Sequence, residues 1–497
     1  MEGHMILLLP VLVPILMGVS VMTLKGLKRN RQALVGTVLV SLVVSAALVF
    51  AALSAGGDLA LWKLTDTITI AFHVDGVSRL FAALTGIVWL LVGIYSVSYM
   101  KHEEEESRFF GFYLVVLGVL IGLDFSSNLV TMYVFYELMT LTSLPLVLHE
   151  RTKEAVMAGL KYLFYSVAGA FLALFGIFFL ANVSPSLTFT PGGVLGGVSL
   201  AGKEGLLLAA VCCMLIGFGT KAGMFPLHGW LPTAHPVAPA PASAVLSGLI
   251  TKSGVLALVR VIYYIVGPDR IRGTWVQNVW ILLSLLTVFM GSMLAYKEPV
   301  LKKRLAYSTV SQVSYILFGL SLLQPVAFVG ALSHVVFHSL IKNALFLCAG
   351  AVIVTTGWTR ASQMRGLGTV MPVLLGCYTI VSLALVGIPP ASGFVSKWYL
   401  ASGALASGTG AFTWIGPVVL LVSALLTAGY LLPLTINGFF PGADFDGKEI
   451  RERGLAGKEP PLLMLGPVII LTAGALLFGC FPGPLLSMIE TIAASVL

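Results

Sequence analysis

Seven ionisable side chains lie deep within apolar, helix-length stretches of this sequence. They are Glu137, Lys221, Lys252, His334, His338, Lys342 and Lys397. On insertion scales, a charged residue at the centre of a membrane helix costs about 2.5–3.5 kcal/mol. A chain with seven such groups must either pair them with one another or solvate them along an internal polar path. The pattern indicates ion movement through the protein and makes these residues a candidate proton pathway.

The composition is that of a polytopic membrane protein. Of 497 residues, 58% are hydrophobic and 10% are charged, which is far from the balance of a soluble domain. About 20 apolar residues cross the hydrocarbon core, and windows of that length predict about fourteen transmembrane helices in a single all-α domain, residues 1–497. The windows are approximately 5–24, 33–55, 77–100, 109–126, 129–148, 155–181, 206–230, 240–266, 276–296, 301–323, 326–356, 371–402, 412–440 and 461–485. The first lacks the features of a cleaved signal peptide, so we expect a retained helix.

The net charge of +8 follows a topological pattern. With these windows as helices and both termini outside, the inside loops hold 18 Lys and Arg residues and the outside segments hold 5. This difference is the positive-inside bias of membrane proteins. We therefore expect a multi-pass protein with both termini outside, and we expect no nucleic-acid partner.

The cysteines do not form a metal-binding or redox pattern. All five lie in apolar windows, without a C-x-x-C motif or a His/Cys cluster at metal spacing. The sequence also lacks a G-x-x-x-x-G-K-[ST] phosphate-binding loop. We expect no cofactor and no metal in this chain, and an ATP-driven pump is not supported.

Two windows are interrupted by glycine and proline beside a lysine. Residues 217–232 read GFGTKAGMFPLHGWLP, and residues 387–399 read GIPPASGFVSKWY. Such breaks are tolerated in lipid only where the freed backbone groups face protein or water. Corresponding breaks in two halves are typical of inverted-repeat transporters.

Glu137, Lys221 and Lys252 form the first candidate group. Glu137 is the only one of 21 acidic residues near the centre of a window, and only a nearby cation would keep it ionised. A buried lysine beside such a carboxylate can gain or lose a proton when its partner moves. The alternatives are a neutral structural glutamate and lysines that snorkel, although snorkelling fits Lys161 and Arg260 better.

His334, His338 and Lys342 are spaced i, i+4, i+8, so they share one helical face about 12 Å long. Imidazoles can relay protons near neutral pH. Structural hydrogen bonding is an alternative, and so is a metal pair, although no third ligand is obvious. Lys397 lies close to the predicted outer end of its helix, where snorkelling is a rival interpretation.

Four further features lie towards the membrane surfaces. His228 and His235 flank Trp230 near the predicted inside surface and are candidates for the cytoplasmic mouth of the pathway. The alternation in residues 56–75 predicts a small external β-hairpin. The run Glu103–Glu106 is interpreted as a solvated inside loop, with a subunit contact as the alternative.

Four ordered motifs resemble one known superfamily. They are VFYEL, the stretch KAGMFPLHGWLPTAHPVAPAPASAVLSGLITKSGV from Lys221 to Val255, HVVFHSLIKNALFLCAG, and GIPPASGFVSK. They resemble the signatures of the antiporter-like proton-channel subunits of respiratory complex I, Mrp-type cation/proton antiporters and membrane-bound energy-converting hydrogenases. AHPVAP looks most similar to hydrogenase and formate-hydrogenlyase subunits. Thr233 replaces an acidic residue that often follows WLP in complex I relatives.

The resemblance implies a fourteen-helix core with two inverted five-helix repeats that contain broken helices, at about 108–266 and 275–440. It implies a coupling carboxylate–lysine pair at Glu137 and Lys221 and a central relay lysine at Lys252. The remaining implied positions are relay groups on a broken helix at His334, His338 and Lys342, and a terminal site exchanging protons with the outside at Lys397.

We therefore expect a proton-translocating subunit of a multisubunit redox-driven complex in a prokaryotic cytoplasmic membrane. The chain has no redox site, so electron transfer is assigned to partners, namely a peripheral redox arm and other membrane subunits. Membrane lipids are expected neighbours, and sodium movement elsewhere in the complex is left open. The rivals are an Mrp-type Na+/H+ antiporter subunit working without a redox partner and a scaffold that has lost conduction.

Overall fold

The computed structural model describes residues 2–65, 68–200 and 202–497. This part of the chain is predominantly helical, as predicted, with one two-stranded sheet. The principal helices are α1 (Leu9–Thr23), α2 (Arg31–Ala55), α3 (Gly76–Tyr99), α4 (Glu106–Asp124), α5 (Leu129–Val147), α6 (Lys153–Val183), α7 (Glu204–Ala222), α8 (Leu231–Val237), α9 (Ala240–Val266), α10 (Trp275–Lys297), α11 (Leu301–Ser321), α12 (Pro325–Thr356), α13 (Pro372–Val386), α14 (Ser392–Leu405), α15 (Phe412–Phe439), α16 (Leu462–Cys480) and α17 (Gly483–Val496).

Among the described residues, twelve helices are long and apolar enough to cross a membrane. The prediction of a multi-span membrane protein is confirmed, and the count of fourteen is not. Window 301–323 corresponds to α11, whose basic first turn and many Ser and Thr residues lower its hydropathy. Window 371–402 consists of two shorter helices, α13 and α14. The division into inverted repeats stays a prediction.

The predicted hairpin is present. Strand β1 (Asp58–Lys63) pairs antiparallel with strand β2 (Thr69–His73). Residues 66 and 67, which fall within the predicted hairpin, lie outside the described residues. Asp75 follows β2 and caps α3, accepting a hydrogen bond from Ser78 N at 2.8 Å. Asp75 therefore connects the hairpin to the first turn of α3.

Both predicted helix breaks are present. Helix α7 ends at Ala222 and α8 begins at Leu231, while α13 ends at Val386 and α14 begins at Ser392. Gly223 (φ 80°) and Gly387 (φ 96°) end the first helix of each pair in conformations that favour glycine. Each break therefore ends the regular hydrogen bonding of the preceding helix, so its last carbonyls need other donors within the bundle.

Helices α9 and α12 lie at the centre of the bundle. The membrane-length window of α9 is buried throughout, and that of α12 is 94% buried. Gly248 allows their close approach, since a Cβ built there would lie 1.8 Å from Asn343 Nδ2. Helix α12 is one continuous helix of 32 residues. The broken helix implied for the two histidines and Lys342 is therefore wrong, because their segment contains no glycine–proline break.

Candidate proton pathway

Hydroxyl groups surround Lys221 in the last turn of α7. Its Nζ donates hydrogen bonds to Thr140 Oγ1 at 2.9 Å, Tyr162 OH at 2.9 Å and Ser166 Oγ at 3.0 Å. Tyr162 and Ser166 are spaced i, i+4, so one face of α6 supplies two of these oxygens. Ser143 Oγ lies 2.7 Å from Tyr162 OH and extends the cluster. A fully buried amine thus lies among groups that are neutral at every ordinary pH.

Glu137 and Lys221 are not in direct contact. Within the described part of the chain, the two do not form an ion pair at 4.0 Å or less. Glu137 is half-buried on α5, and its Oε1 has no hydrogen-bond partner among the described residues. Thr140, one turn further along α5, contacts Lys221 instead. The coupling role of Glu137 and Lys221 stays a prediction. It requires either an electrostatic interaction over more than 4.0 Å or a movement that brings the carboxylate and the amine together.

Lys252 and His338 are in direct contact at the centre of the bundle. Lys252 Nζ lies 2.7 Å from His338 Nδ1 and donates to the Ser247 carbonyl at 2.7 Å. Ser247 belongs to a π-helical turn, Leu246–Ile250, an irregularity that is frequent at functional sites. Both Lys252 and His338 are buried. This is the closest contact between two of the seven predicted residues.

His334 continues the connection towards the second break. Its Nδ1 lies 2.8 Å from Ser396 Oγ, and its ring centroid lies 5.8 Å from that of His338. The Nε2 atoms of both histidines are buried and have no hydrogen-bond partner among the described residues. Lys252, His338, His334 and Ser396 therefore form one group extending from α9 across α12 to α14.

Lys397 follows Ser396 and points into the break between α13 and α14. Its Nζ donates to the carbonyls of Leu385 at 2.5 Å and Val386 at 3.0 Å, and it lies 5.0 Å from the centroid of the Tyr315 ring. These carbonyls end α13, so the lysine satisfies groups that the break leaves unpaired. In this arrangement the amine faces the break and does not snorkel to a helix end.

Lys342 belongs to a side branch. Its Nζ donates to Ser308 Oγ at 2.6 Å and to the Leu305 carbonyl at 3.1 Å. Ser308 Oγ lies 2.6 Å from Tyr430 OH, so Lys342 faces α11 and α15 while His338 faces α9. The shared helical face holds three groups with different neighbours.

The candidate mouth histidines differ from each other. His235 is fully buried and stacks on Phe346 with a centroid distance of 4.9 Å, and neither of its ring nitrogens has a hydrogen-bond partner among the described residues. His228 is only partly buried beside Phe225. Of the two, His235 lies in the bundle interior.

Sequence reasoning missed a polar cavity next to His235. The cavity has a volume of about 400 Å³, and its lining includes Glu103, Glu150 and Lys302. Lys302 Nζ donates to the carbonyls of Pro236 and Ala238. Burial raises the pKa of Glu103, and the charge of Glu150 raises it further while Lys302 lowers it. The acidic run Glu103–Glu106 stands out in the sequence, but its proximity to Lys302 depends on the fold.

Four of the seven predicted pathway residues lie in two clusters, and Glu137, Lys342 and Lys397 lie outside them. One contains Lys221 with its hydroxyl partners, and the other contains Lys252, the histidines and Ser396. In the residues that the structure describes, no side-chain hydrogen bond joins Lys221 to Lys252. The partners of Lys221 gave no signal in advance because Ser, Thr and Tyr occur throughout the sequence.

Similarity to known proteins assigns the chain to a family. Residues 126–427 match the family described as NADH:quinone oxidoreductase/Mrp antiporter, TM, and residues 63–110 match the N-terminus of chain 5 of NADH-ubiquinone oxidoreductase (complex I). The chain is 31% identical over 428 residues to NADH-quinone oxidoreductase subunit N of Desulforudis audaxviator (strain MP104C), covering 84% of this chain and 83% of that protein.

It is also 31% identical over 482 residues to a subunit of the Na(+)/H(+) antiporter of Bacillus subtilis (strain 168), covering 95% of this chain and 93% of that protein. A chain of the archaeal membrane-bound sulfane sulfur reductase, a respiratory membrane complex, has the same fold, with a TM-score of 0.84, 20% identity and coverage of 98% and 99%. The central motifs and both breaks lie within the matched region. The chain therefore belongs to the NADH:quinone oxidoreductase/Mrp antiporter transmembrane family, as an antiporter-like subunit.

Proposed function

We propose that this chain moves protons across a prokaryotic cytoplasmic membrane as a subunit of a multisubunit redox-driven complex. The contact between Lys252 and His338 carries the proposal. It places an amine and an imidazole 2.7 Å apart in a fully buried position, within the distance needed for direct proton transfer. Electron transfer belongs to other subunits, with both termini of this chain on the outside.

Transfer within this pair creates no new charge. A proton that leaves Lys252 Nζ breaks one N–H bond and forms another on His338 Nδ1, so the total charge of the pair is unchanged. Separating or creating charge in a low-dielectric interior is costly, and this step avoids that cost. The imidazolium then holds a second proton on Nε2, which it can release in the direction of His334.

The surroundings of Lys221 allow the same alternation. Hydroxyl oxygens accept hydrogen bonds from an ammonium, and hydroxyl protons donate to a neutral amine. Thr140, Tyr162 and Ser166 can therefore satisfy Lys221 in both protonation states. A change near Glu137, driven by a neighbouring subunit, would shift the balance between these states. Lys397 then exchanges the proton with the outside.

The test is proton transport by the assembled complex in vesicles. We expect Lys252→Met, Lys221→Ala and Glu137→Ala each to abolish transport while assembly remains intact. Lys161→Ala is the control, because this membrane lysine lies on α6 with its amine 5.8 Å from the Tyr165 ring centroid and outside both clusters. Unchanged proton transport in assembled Lys252→Met vesicles would refute the proposal.

A second candidate is an Mrp-type Na+/H+ antiporter subunit that needs no redox partner. The similarity to the Bacillus subtilis antiporter protein over 95% of this chain favours it. Transport that requires sodium and runs on a pH gradient alone would select this candidate. Co-purification of a redox arm in mild detergent, with transport dependent on electron transfer, would select the redox-driven complex.

A further inference from the structure

An apolar cleft lies against α12, on the side of that helix away from His334 and His338. It has a volume of about 410 Å³ and lies between α3, α12, α16 and α17. Its lining is almost entirely hydrocarbon, with Leu84, Val336, Ile470 and Phe478 as representative residues. Arg79 is the single charged residue among those that line it.

The cleft has the depth of one membrane leaflet. Along α3 its lining extends from Arg79 to Leu91, and twelve residues of helix rise about 18 Å. Half of the hydrocarbon core measures about 15 Å. Arg79 lies in the first turn of α3, close to Gly56 at the end of α2, which places it at the membrane surface. The charged end of the cleft is therefore at the headgroup level, and its apolar end is near the midplane.

Arg79 is an exposed residue. Among the described residues, no acidic side chain lies within ion-pair distance of its guanidinium. Guanidinium groups bind phosphate with two parallel hydrogen bonds. A purely apolar occupant, such as a helix of another subunit, would give this charge nothing to bind.

We propose that this cleft is a binding site for one phospholipid, with its phosphate on Arg79 and one acyl chain along α3. Because bilayer hydrocarbon is as apolar as leucine, the acyl chain gains no hydrophobic transfer energy when it moves from the membrane into the cleft. The phosphate contact and close packing hold the lipid in place. Val336 and Leu340 lie two residues before and after His338, so the acyl chain packs against the back of the helix that carries the histidines.

Gly474 offers a way to close the cleft. A Cβ built on Gly474 would meet only Leu340 Cδ1, at an ordinary contact distance of 3.5 Å. Gly474→Phe should therefore fill the cleft without displacing backbone. Arg79→Gln removes the phosphate contact and leaves the apolar part intact. Lys203→Gln is the control, since Lys203 is exposed at the start of α7 and does not line the cleft.

The measurement is phospholipid bound to the purified complex, determined by mass spectrometry after washing in detergent and again after adding back phosphatidylglycerol. Size-exclusion chromatography confirms that each variant is folded. We expect the wild type and Lys203→Gln to retain equal amounts of phospholipid. Gly474→Phe should retain one phospholipid fewer per protein chain than either of them. Arg79→Gln should bind phosphatidylglycerol about fivefold more weakly, as expected from about 1 kcal/mol for one basic residue at a lipid surface.

Equal lipid retention by Gly474→Phe and the wild type would overturn the site. Equal phosphatidylglycerol affinity in Arg79→Gln would overturn the assignment of the phosphate. A structure of the assembled complex with a helix of another subunit in the cleft would overturn the choice of a lipid. None of these outcomes bears on proton transport, which depends on residues outside the cleft.

Discussion

Arg260 and Lys221 are both buried cations in neighbouring parts of the bundle, but their partners differ in kind. Arg260, on α9, donates to both carboxylate oxygens of Asp75, at 2.5 and 2.9 Å, and its guanidinium lies 4.7 Å from the Tyr264 ring centroid. Lys221 has three hydroxyl partners and no carboxylate within 4.0 Å among the described residues.

The difference separates a structural charge from an exchangeable one. A carboxylate stabilises only the charged form of its partner, and arginine does not deprotonate in proteins, so the Arg260–Asp75 pair is fixed. Hydroxyl groups can donate as well as accept, so they can form hydrogen bonds with a neutral amine as well as with an ammonium. Lys252 and Lys397 also lack a carboxylate partner among the described residues. Lys252 contacts an imidazole and a carbonyl, and Lys397 contacts two carbonyls, to which a neutral amine can still donate. A buried cation is a candidate for proton transfer when its partners tolerate its neutral form.

The largest expected effect is on the fixed pair. Asp75→Asn should lower the free energy of unfolding by about 3 kcal/mol, because it leaves the buried Arg260 without its counter-charge. Asparagine keeps the helix cap, so the loss reports the ion pair. Thermal unfolding of the purified protein is the measurement, with Asp58→Asn as the control, since the Asp58–His73 pair is largely exposed and should matter little. Equal losses in both variants would contradict the comparison.

The same pair should make stability depend on acid pH. Burial alone would raise the pKa of Asp75, but the adjacent Arg260 guanidinium lowers it from 3.8 to about 2. A depressed pKa means that the stabilisation is complete above pH 3.8 and is lost as pH falls towards 2. The expected loss is about 2 kcal/mol. It is measured as unfolding temperature against pH, and Asp75→Asn should lack this part of the dependence.

A smaller effect on stability should accompany a large effect on transport at Lys221. Tyr162→Phe removes one hydroxyl partner and should cost about 1.5 kcal/mol while reducing proton transport per folded complex. Tyr263→Phe is the matched control, because its buried hydroxyl donates to the Leu320 carbonyl at 2.6 Å away from both clusters. It should lose comparable stability with normal transport. Equal transport in the two variants would show that the hydroxyl partners of Lys221 are only structural.

The sequence predicts those parts of the pathway that depend on local geometry. Helix periodicity alone places His334, His338 and Lys342 on one face, and glycine and proline alone mark both breaks. The sequence could not predict the contact between Lys252 and His338. Nor could it predict that Thr140, and not Glu137, contacts Lys221, since such distances depend on how separate helices pack. The length of its window predicts α11 as a membrane span. The hydropathy of α11 is low because many of its residues are polar, and these make interior contacts such as that between Ser308 and Tyr430.

The π-helical turn at Leu246–Ile250 makes helix register a determinant of the pathway. Each residue of an α-helix turns the chain by about 100°, and a π-helical turn accommodates one residue more than an α-helical turn does. Removing one residue from this segment would therefore rotate Lys252 by about 100° around the axis of α9, relative to the residues that precede the segment. The lysine would then face a different neighbour. Insertions and deletions here can disconnect the lysine from His338 even when every ionisable group is retained.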